Sequence, residues 1–237
     1  MKRFIFFLLG LIGFGQVFAQ SFSEEKYIYP IGADGDKYVI SGFTSFDKLE
    51  DKPIFANALL WTVENICPRL MEGITRVDVK SNSFSCDWIL ASAADSDLKN
   101  TYYCRVNFRI ADGKLVYYVS DILAESAAFV MKKVTPFEKM QPEKKEAHRR
   151  IFEDFQVSCS TLLNQMFDYV QTNQLPAITH WEEIRLRKAV VGMNGTECLL
   201  AFGKPQTVLE SNGEVQWMYT SSFHLFFKNG LVCTVLK

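Results

Sequence analysis

The sequence predicts an α+β protein: an antiparallel sheet packed under long helices to about residue 175, then a small αα-βββ module. Three observations carry that expectation. Residues 84–90 and 101–110 alternate apolar and polar with the period of a half-buried strand. Residues 53–71 and 143–172 repeat their apolar positions with the period of a helix. The closing stretch carries a helix stop at Gly203-Lys204-Pro205 and a hairpin turn at Asn229-Gly230.

In chain order, Met1-Lys2-Arg3 is a positive head, and Phe4 to Val17 holds no charge. Val17-Phe18-Ala19 then puts small residues where a signal peptidase reads, which predicts cleavage after Ala19 and a mature start at Gln20. The apolar run is short of the about 20 residues that a bilayer span needs. No Cys follows Ala19, so no lipid anchor is expected there. The expected address is periplasmic or secreted, with residues 1–19 a signal peptide and no transmembrane span after its removal.

Tyr27-Ile28-Tyr29 and Lys37 to Ile40 flank the Asp34-Gly35 pair, which predicts a hairpin. Asp34 and Asp36 lack the acidic closing ligand of a calcium loop, so they read as turn residues. Pro53 to Met71 reads as a helix capped by Asp51, with Ile54, Ala58, Trp61, Ile66 and Leu70 on one stripe. A strand near Ile74–Val79 precedes the two alternating strands, and Asp112-Gly113 turns the chain into Leu115 to Ile122, closing a meander. The long helix from Glu143 to about Thr172 carries a stripe of Ile151, Phe155, Leu162, Met166 and Val170, widened by Phe152, Leu163 and Phe167. Glu146/Arg150 and Arg149/Glu153 are spaced to pair on its solvent side. A short helix over His180 to Val190 and a second helix capped by Asn194 lead into three strands. A meander holding a long apolar helix is a helix-grip arrangement. The boundaries read as 27–175 and 180–237.

Composition excludes several functions. A formal charge of −1, made more acidic when Lys2 and Arg3 leave with the signal, gives no footprint for nucleic acid. An apolar fraction of 48% is enough for a full core, so disorder is not expected. His148, His180 and His224 have no partner at metal-ligand spacing, and no nucleophile elbow, phosphate loop or dinucleotide fingerprint occurs. Neither a metal, a cofactor nor catalysis is therefore expected. The basic cluster Lys144, Lys145, His148, Arg149 and Arg150 reads as a solvated helix face. Asn194-Gly195-Thr196 matches a glycosylation acceptor but reads better as a helix cap.

Six cysteines in an exported chain leave two readings open, buried small hydrophobes or disulfides. Cys86 and Cys104 fall on the apolar face of neighbouring strands and are the candidate bridge.

The segment Gly192-Met193, Phe202-Gly203-Lys204-Pro205, Trp217-Met218-Tyr219 and Phe227-Lys228-Asn229-Gly230 resembles the SmpA/OmlA family, the BamE-like module of Gram-negative envelopes. It departs in having Phe202 where the family has Leu, and in lacking the family's lipidated Cys. The resemblance implies a protein-binding or assembly role without catalysis; the missing anchor puts membership of a barrel-assembly complex in doubt. Tyr29-Pro30, Asp34-Gly35, Tyr38 to Ser45 and Ala58-Leu59-Leu60-Trp61 resemble an uncharacterised envelope family with a TBP-like fold. That resemblance implies a strand, helix, meander and long final helix in order, and speaks for shape only.

Two functions follow as expectations. In the first, the protein binds another envelope protein through exposed aromatics, for which Tyr118, Trp181 and Phe226 are the candidates. In the second, it carries a small apolar molecule or lipid in a helix-grip pocket lined by Trp61, Trp88, Phe108 and Phe155.

Overall fold

A computed structural model describes residues 28–66, 74–126, 133–211 and 213–237. The expected signal peptide, Tyr27, Cys67, Leu70 and Met71 lie outside the described residues. The chain is α+β and antiparallel throughout its described sheets.

The hairpin turns at Gly35-Asp36, joining β1 (Gly32–Asp34) to β2 (Lys37–Ser45). The first strand therefore lies where the sequence predicted the loop. Gly35 takes φ +63, which a tight turn of this kind requires. Ile28 and Tyr29 are not in a strand; Tyr29 is buried and its hydroxyl donates to Asn164 Oδ1 at 2.9 Å. Helix α1 (Asp51–Asn65) has Glu50 as its N-cap residue. Asp51 instead accepts from the Gly113 amide at 2.9 Å, holding down the turn between two later strands. Every residue from Ile54 to Val63 is buried, so α1 is a central helix, apolar all round, and has no single stripe.

Four strands follow: β3 (Ile74–Asp78), β4 (Ser83–Ala91), β5 (Asn100–Ala111) and β6 (Lys114–Ser126). They form a sheet in the order β1-β2-β6-β5-β4-β3, and the short β7 (Lys133–Pro136), not anticipated in the sequence, pairs with the far end of β6. The β5–β6 register breaks between Tyr103 and Arg105, opposite Asp121, which has φ 53. This bulge lets the long β6 bend, so β2 borders its first half and β7 its second.

Helix α2 (Glu146–Thr172) lies across the same face of the sheet. Its buried line runs through Phe152, Phe155, Cys159, Leu163, Met166, Phe167 and Val170, with Ile151 and Leu162 half-buried at the margin. Arg149 pairs with both Glu146 and Glu153, whereas Arg150 reaches across to Asp97. Two short helices, α3 (Trp181–Leu186) and α4 (Gly195–Phe202), precede a second sheet of β8 (Thr207–Ser211), β9 (Glu214–Met218), β10 (His224–Lys228) and β11 (Leu231–Leu236) in the order β11-β10-β9-β8. The expected αα-βββ module thus has four strands. The extra one, β8, is exposed along its whole length and shows no alternation to read.

One hydrophobic cluster includes residues of both halves. Phe55 of α1 meets Trp181 at 6.0 Å between ring centroids, and Lys204 Nζ donates to the Glu64 carbonyl at 2.8 Å.

Candidate functional site

The two faces of the large sheet have different fates. Phe84, Trp88, Tyr102, Phe108, Ile110, Leu115 and Tyr117 point to one side, are buried, and pack under the helices. Their alternates point away, and the register arranges them in two rows across five strands. One row is Ser41, Tyr118, Asn107, Ser85 and Arg76; the next is Phe43, Val116, Arg109, Ser83 and Asp78. All ten are exposed or half-buried.

A trough of about 270 Å³ runs over this face, lined by Arg76, Ser83, Ser85, Asn107, Arg109, Val116 and Tyr118 among others. Its cause is local. On β4 the outward residues are the small Ser83 and Ser85, while neighbouring strands carry long side chains, Arg76 on one side and Asn107 and Arg109 on the other.

Most charges on the face are matched. Arg105 pairs with Asp87 at 2.9 Å and Lys37 with Asp121 at 2.7 Å. Asp78 accepts from the Ser81 and Lys80 amides at 3.2 and 3.0 Å; those bonds, the Ser81 contact first, hold its pKa below the usual carboxylate value. Arg76 is a loose 3.6 Å from Asp78. Tyr118 donates to Asp34 at 2.6 Å, and that bond, with some desolvation, pushes the phenol up to about 12. Ser85 Oγ donates to Asn107 Oδ1 at 2.6 Å. The Arg109 side chain, by contrast, forms no ion pair or hydrogen bond with any described residue. Among the described residues, the Lys114 ammonium meets the Phe43 ring, 5.1 Å from its Nζ.

The residues expected to line an internal pocket are buried against neighbouring rings. Trp61, Trp88, Phe108 and Phe155 are all at most 4% exposed. Trp88 packs on Trp61 at 6.1 Å and on Phe108 at 6.0 Å, while Phe155 packs on Tyr102 at 5.4 Å. All four belong to the hydrophobic core cluster. Nor does the structure gather the three expected contact aromatics into one surface. Tyr118 stands in the trough. Trp181 is half-buried against Phe55, with Lys52 Nζ 5.0 Å from its ring. Phe226 lies on the small sheet between Gln216 and Thr234.

The candidate disulfide is not formed. The register sets Cys86 opposite Val106 and Cys104 opposite Trp88, so the two are offset by two residues, and Cys104 is a buried free thiol. Burial first, then the nearby Cys159 and Cys86, raise the Cys104 pKa well above its ordinary value. Among the described residues no group of His, Cys, Asp and Glu is placed to hold a metal ion.

Two buried carboxylates serve the fold. Asp154 accepts from the Tyr102 hydroxyl and from the Ala93 amide at 3.0 Å. Glu197 forms a capping box with Asn194 and reaches back to the linker before α3. The glycosylation-like Asn194 is thus a helix cap, and its Nδ2 donates to the Ala177 carbonyl at 3.1 Å.

The groups that make the trough distinctive, Arg76, Arg109, Asn107 and the two serines, were legible in the sequence only as the polar half of an alternating pattern. The available signal was the contrast between small serines on one strand and long polar residues on the next.

No family model and no curated protein matches the chain. Among solved structures it is similar to a TBP-like protein from Parabacteroides distasonis, with TM-score 0.52 at 10% identity, over 61% of this chain and 99% of that one. A DUF4468 family protein from Bacteroides ovatus aligns at TM-score 0.44 and 13% identity, over 61% of this chain and 94% of that one. Among the described residues no helix is long and apolar enough to cross a membrane. Antiparallel sheet, helices on one face and this likeness together show the fold, and the chain is an α+β protein of TBP-like architecture.

Proposed function

We propose that this chain is an exported, non-catalytic cell-envelope protein that binds another envelope protein through the uncovered face of its large sheet. The observation that supports the reading most directly is the one-sidedness of that sheet. Helices take one face, and the other carries a trough in which the Arg109 guanidinium has no partner among the described residues. The N-terminal segment with Ala19 at the cleavage position supports export, to the periplasm or outside the cell. The resemblance of residues 192–230 to the SmpA/OmlA module supports an assembly role. Against nucleic acid as the partner stand the formal charge of −1 and four carboxylates, Asp34, Asp78, Asp87 and Asp121, attached to the same face. The carrier reading has less support, because Trp61 and Phe108 pack on Trp88, and Phe155 packs on Tyr102 and Phe137.

The test is site-specific photo-crosslinking in the producing cell. A benzophenone side chain at Val116, which is 43% exposed, is expected to give one discrete adduct that unlabelled purified protein competes away. The same probe at Leu186, 54% exposed on α3, serves as the control. Equal adducts at both positions, or none at Val116, would sink the reading. N-terminal sequencing of the mature chain tests export separately, with Gln20 expected first.

A further inference from the structure

We infer that the trough over Ser83 and Ser85 is a carboxylate-binding site, which takes an acidic side chain of the partner protein flanked by an apolar residue. This inference rests on the binding reading above and adds the chemistry of the contact.

The argument begins with what each group on the face already does. Arg105 and Lys37 have carboxylates of their own, and Asp78 and Asp34 have donors of their own. Arg109 is left with a planar fork of N–H donors and no acceptor among the described residues. A guanidinium of that kind matches a carboxylate with two parallel hydrogen bonds, a geometry a lone ammonium cannot supply.

The neighbouring donors point to the same chemistry. Asn107 is one row away on the same strand, and its Oδ1 is occupied by Ser85 at 2.6 Å. Its Nδ2 hydrogens are then the part left to donate. Arg76 borders the opposite side of the trough and is held only by the 3.6 Å contact with Asp78. One strand, β4, separates Arg76 from Arg109, two strand spacings or roughly 10 Å across the sheet, and its residues at this place are Ser83 and Ser85. A carboxylate on its own side-chain stem fits that width; a bulky group does not.

The apolar requirement comes from the same row. Val116 is paired with Arg109 on one side and with Phe43 on the other, giving an exposed apolar step beside the cation. An acid next to an apolar group would use both, whereas a small hydrophilic anion would leave the step wet.

The probes are phenylacetate, phenylacetamide and inorganic phosphate, titrated into the full mature chain while the Arg109 Nε–H signal is followed by NMR. Phenylacetate is expected to shift that signal saturably, with phenylacetamide and phosphate at least tenfold weaker. Arg109→Gln removes that reporter, so the variant is read on the Asn107 Nδ2–H2 signals, whose saturable shift with phenylacetate in the wild type is expected to vanish without the melting midpoint moving, since Arg109 is exposed. Equal binding of the amide, a preference for phosphate, or no saturable shift would each overturn the carboxylate site. In the cell, Arg109→Gln is expected to weaken the Val116 adduct at least tenfold. If that adduct persists undiminished, the carboxylate inference fails and the binding face stands. If phenylacetate binds at Arg109 but no position on the face gives an adduct, the protein-binding reading fails and a site for small free acids remains.

Discussion

Removing the Glu197 carboxylate is expected to be among the most damaging single changes in the second half of the chain. Glu197 is 0% exposed, yet its two oxygens are fully engaged. One accepts from the Thr179 amide at 2.6 Å, the His180 amide at 3.0 Å and the Thr179 hydroxyl at 3.2 Å. The other accepts from the Asn194 amide at 2.8 Å and meets His180 Nδ1 at 2.9 Å. Glu197→Ala strands three backbone N–H groups. At about 1–3 kcal/mol for each unsatisfied donor, with partial access of water, the loss should be about 3–6 kcal/mol. That is a large share of the about 5–15 kcal/mol that holds a typical domain folded. Glu197→Gln keeps the shape but turns an N–H toward a donor, and should cost about 2–3 kcal/mol.

The charge adds a pH signature. Burial alone would raise the Glu197 pKa, but the Asn194, Thr179 and His180 amides and the imidazole outweigh burial and hold it below the usual value. A depressed folded pKa contributes stability above the unfolded value of about 4.3, and that contribution is lost as pH falls through the folded pKa. The gap between wild type and Glu197→Gln should therefore narrow as the pH drops from about 6 toward 3. Urea unfolding followed by tryptophan fluorescence reads both effects. A loss under about 1 kcal/mol for Glu197→Ala, or a gap that stays constant or widens in acid, would refute this account.

Other consequences are open to similar measurements. Ser160 Oγ accepts from the Tyr29 amide at 2.9 Å, whereas the buried Ser158 Oγ has no partner among the described residues. Ser160→Ala should cost about 1–2 kcal/mol and Ser158→Ala should be neutral or stabilising by up to about 1 kcal/mol, as read by urea midpoints. Trp181→Ala loses the Phe55 ring and the Lys52 cation, and should cost about 2–4 kcal/mol in the same assay. In a Cys67→Ser chain, Cys233 should be the first thiol to react with a disulfide reagent, because it is exposed. Cys159 and Cys198, buried and pushed up to about 12, should wait for unfolding, and mass spectrometry of the labelled chain would decide.

How much of this was readable beforehand depended on whether a segment meets one environment or two. The strands β4 and β5 separate core from solvent, so their period was plain in the sequence. Helix α1 has core on every side, and no stripe could reveal which way it faced. Strand β8 has solvent along its whole length, and the Asn212-Gly213 pair was its one local sign. β1 is held by backbone pairing to β2 and offers three small or polar residues, so the apolar Tyr27 to Tyr29 drew the strand assignment instead. The disulfide candidate failed for a different reason. Alternation assigns two cysteines to one face but leaves their register open, and the register sets them two residues apart.

The same distinction explains why the outer face of the large sheet was the hardest feature to see. A core announces itself by burying what water rejects, so Trp61, Trp88, Phe108 and Phe155 stood out and drew the pocket hypothesis. Those same rings pack on their neighbours, Trp88 lying about 6 Å from both Trp61 on the helix and Phe108 on the next strand. On the outer face every residue type is ordinary for a solvated surface, and Ser83, Ser85, Asn107 and Arg109 each alternate as solvent-facing residues do. The distinguishing feature is relational. Arg105 is two positions from Asn107 and four from Arg109 on the same strand, and it has Asp87 opposite it, while Arg109 has Ser83 opposite it and Val116 on its other side. Two arginines of like spacing thus have opposite electrostatic fates. Only cross-strand pairing determines which of them is free to meet something outside the chain.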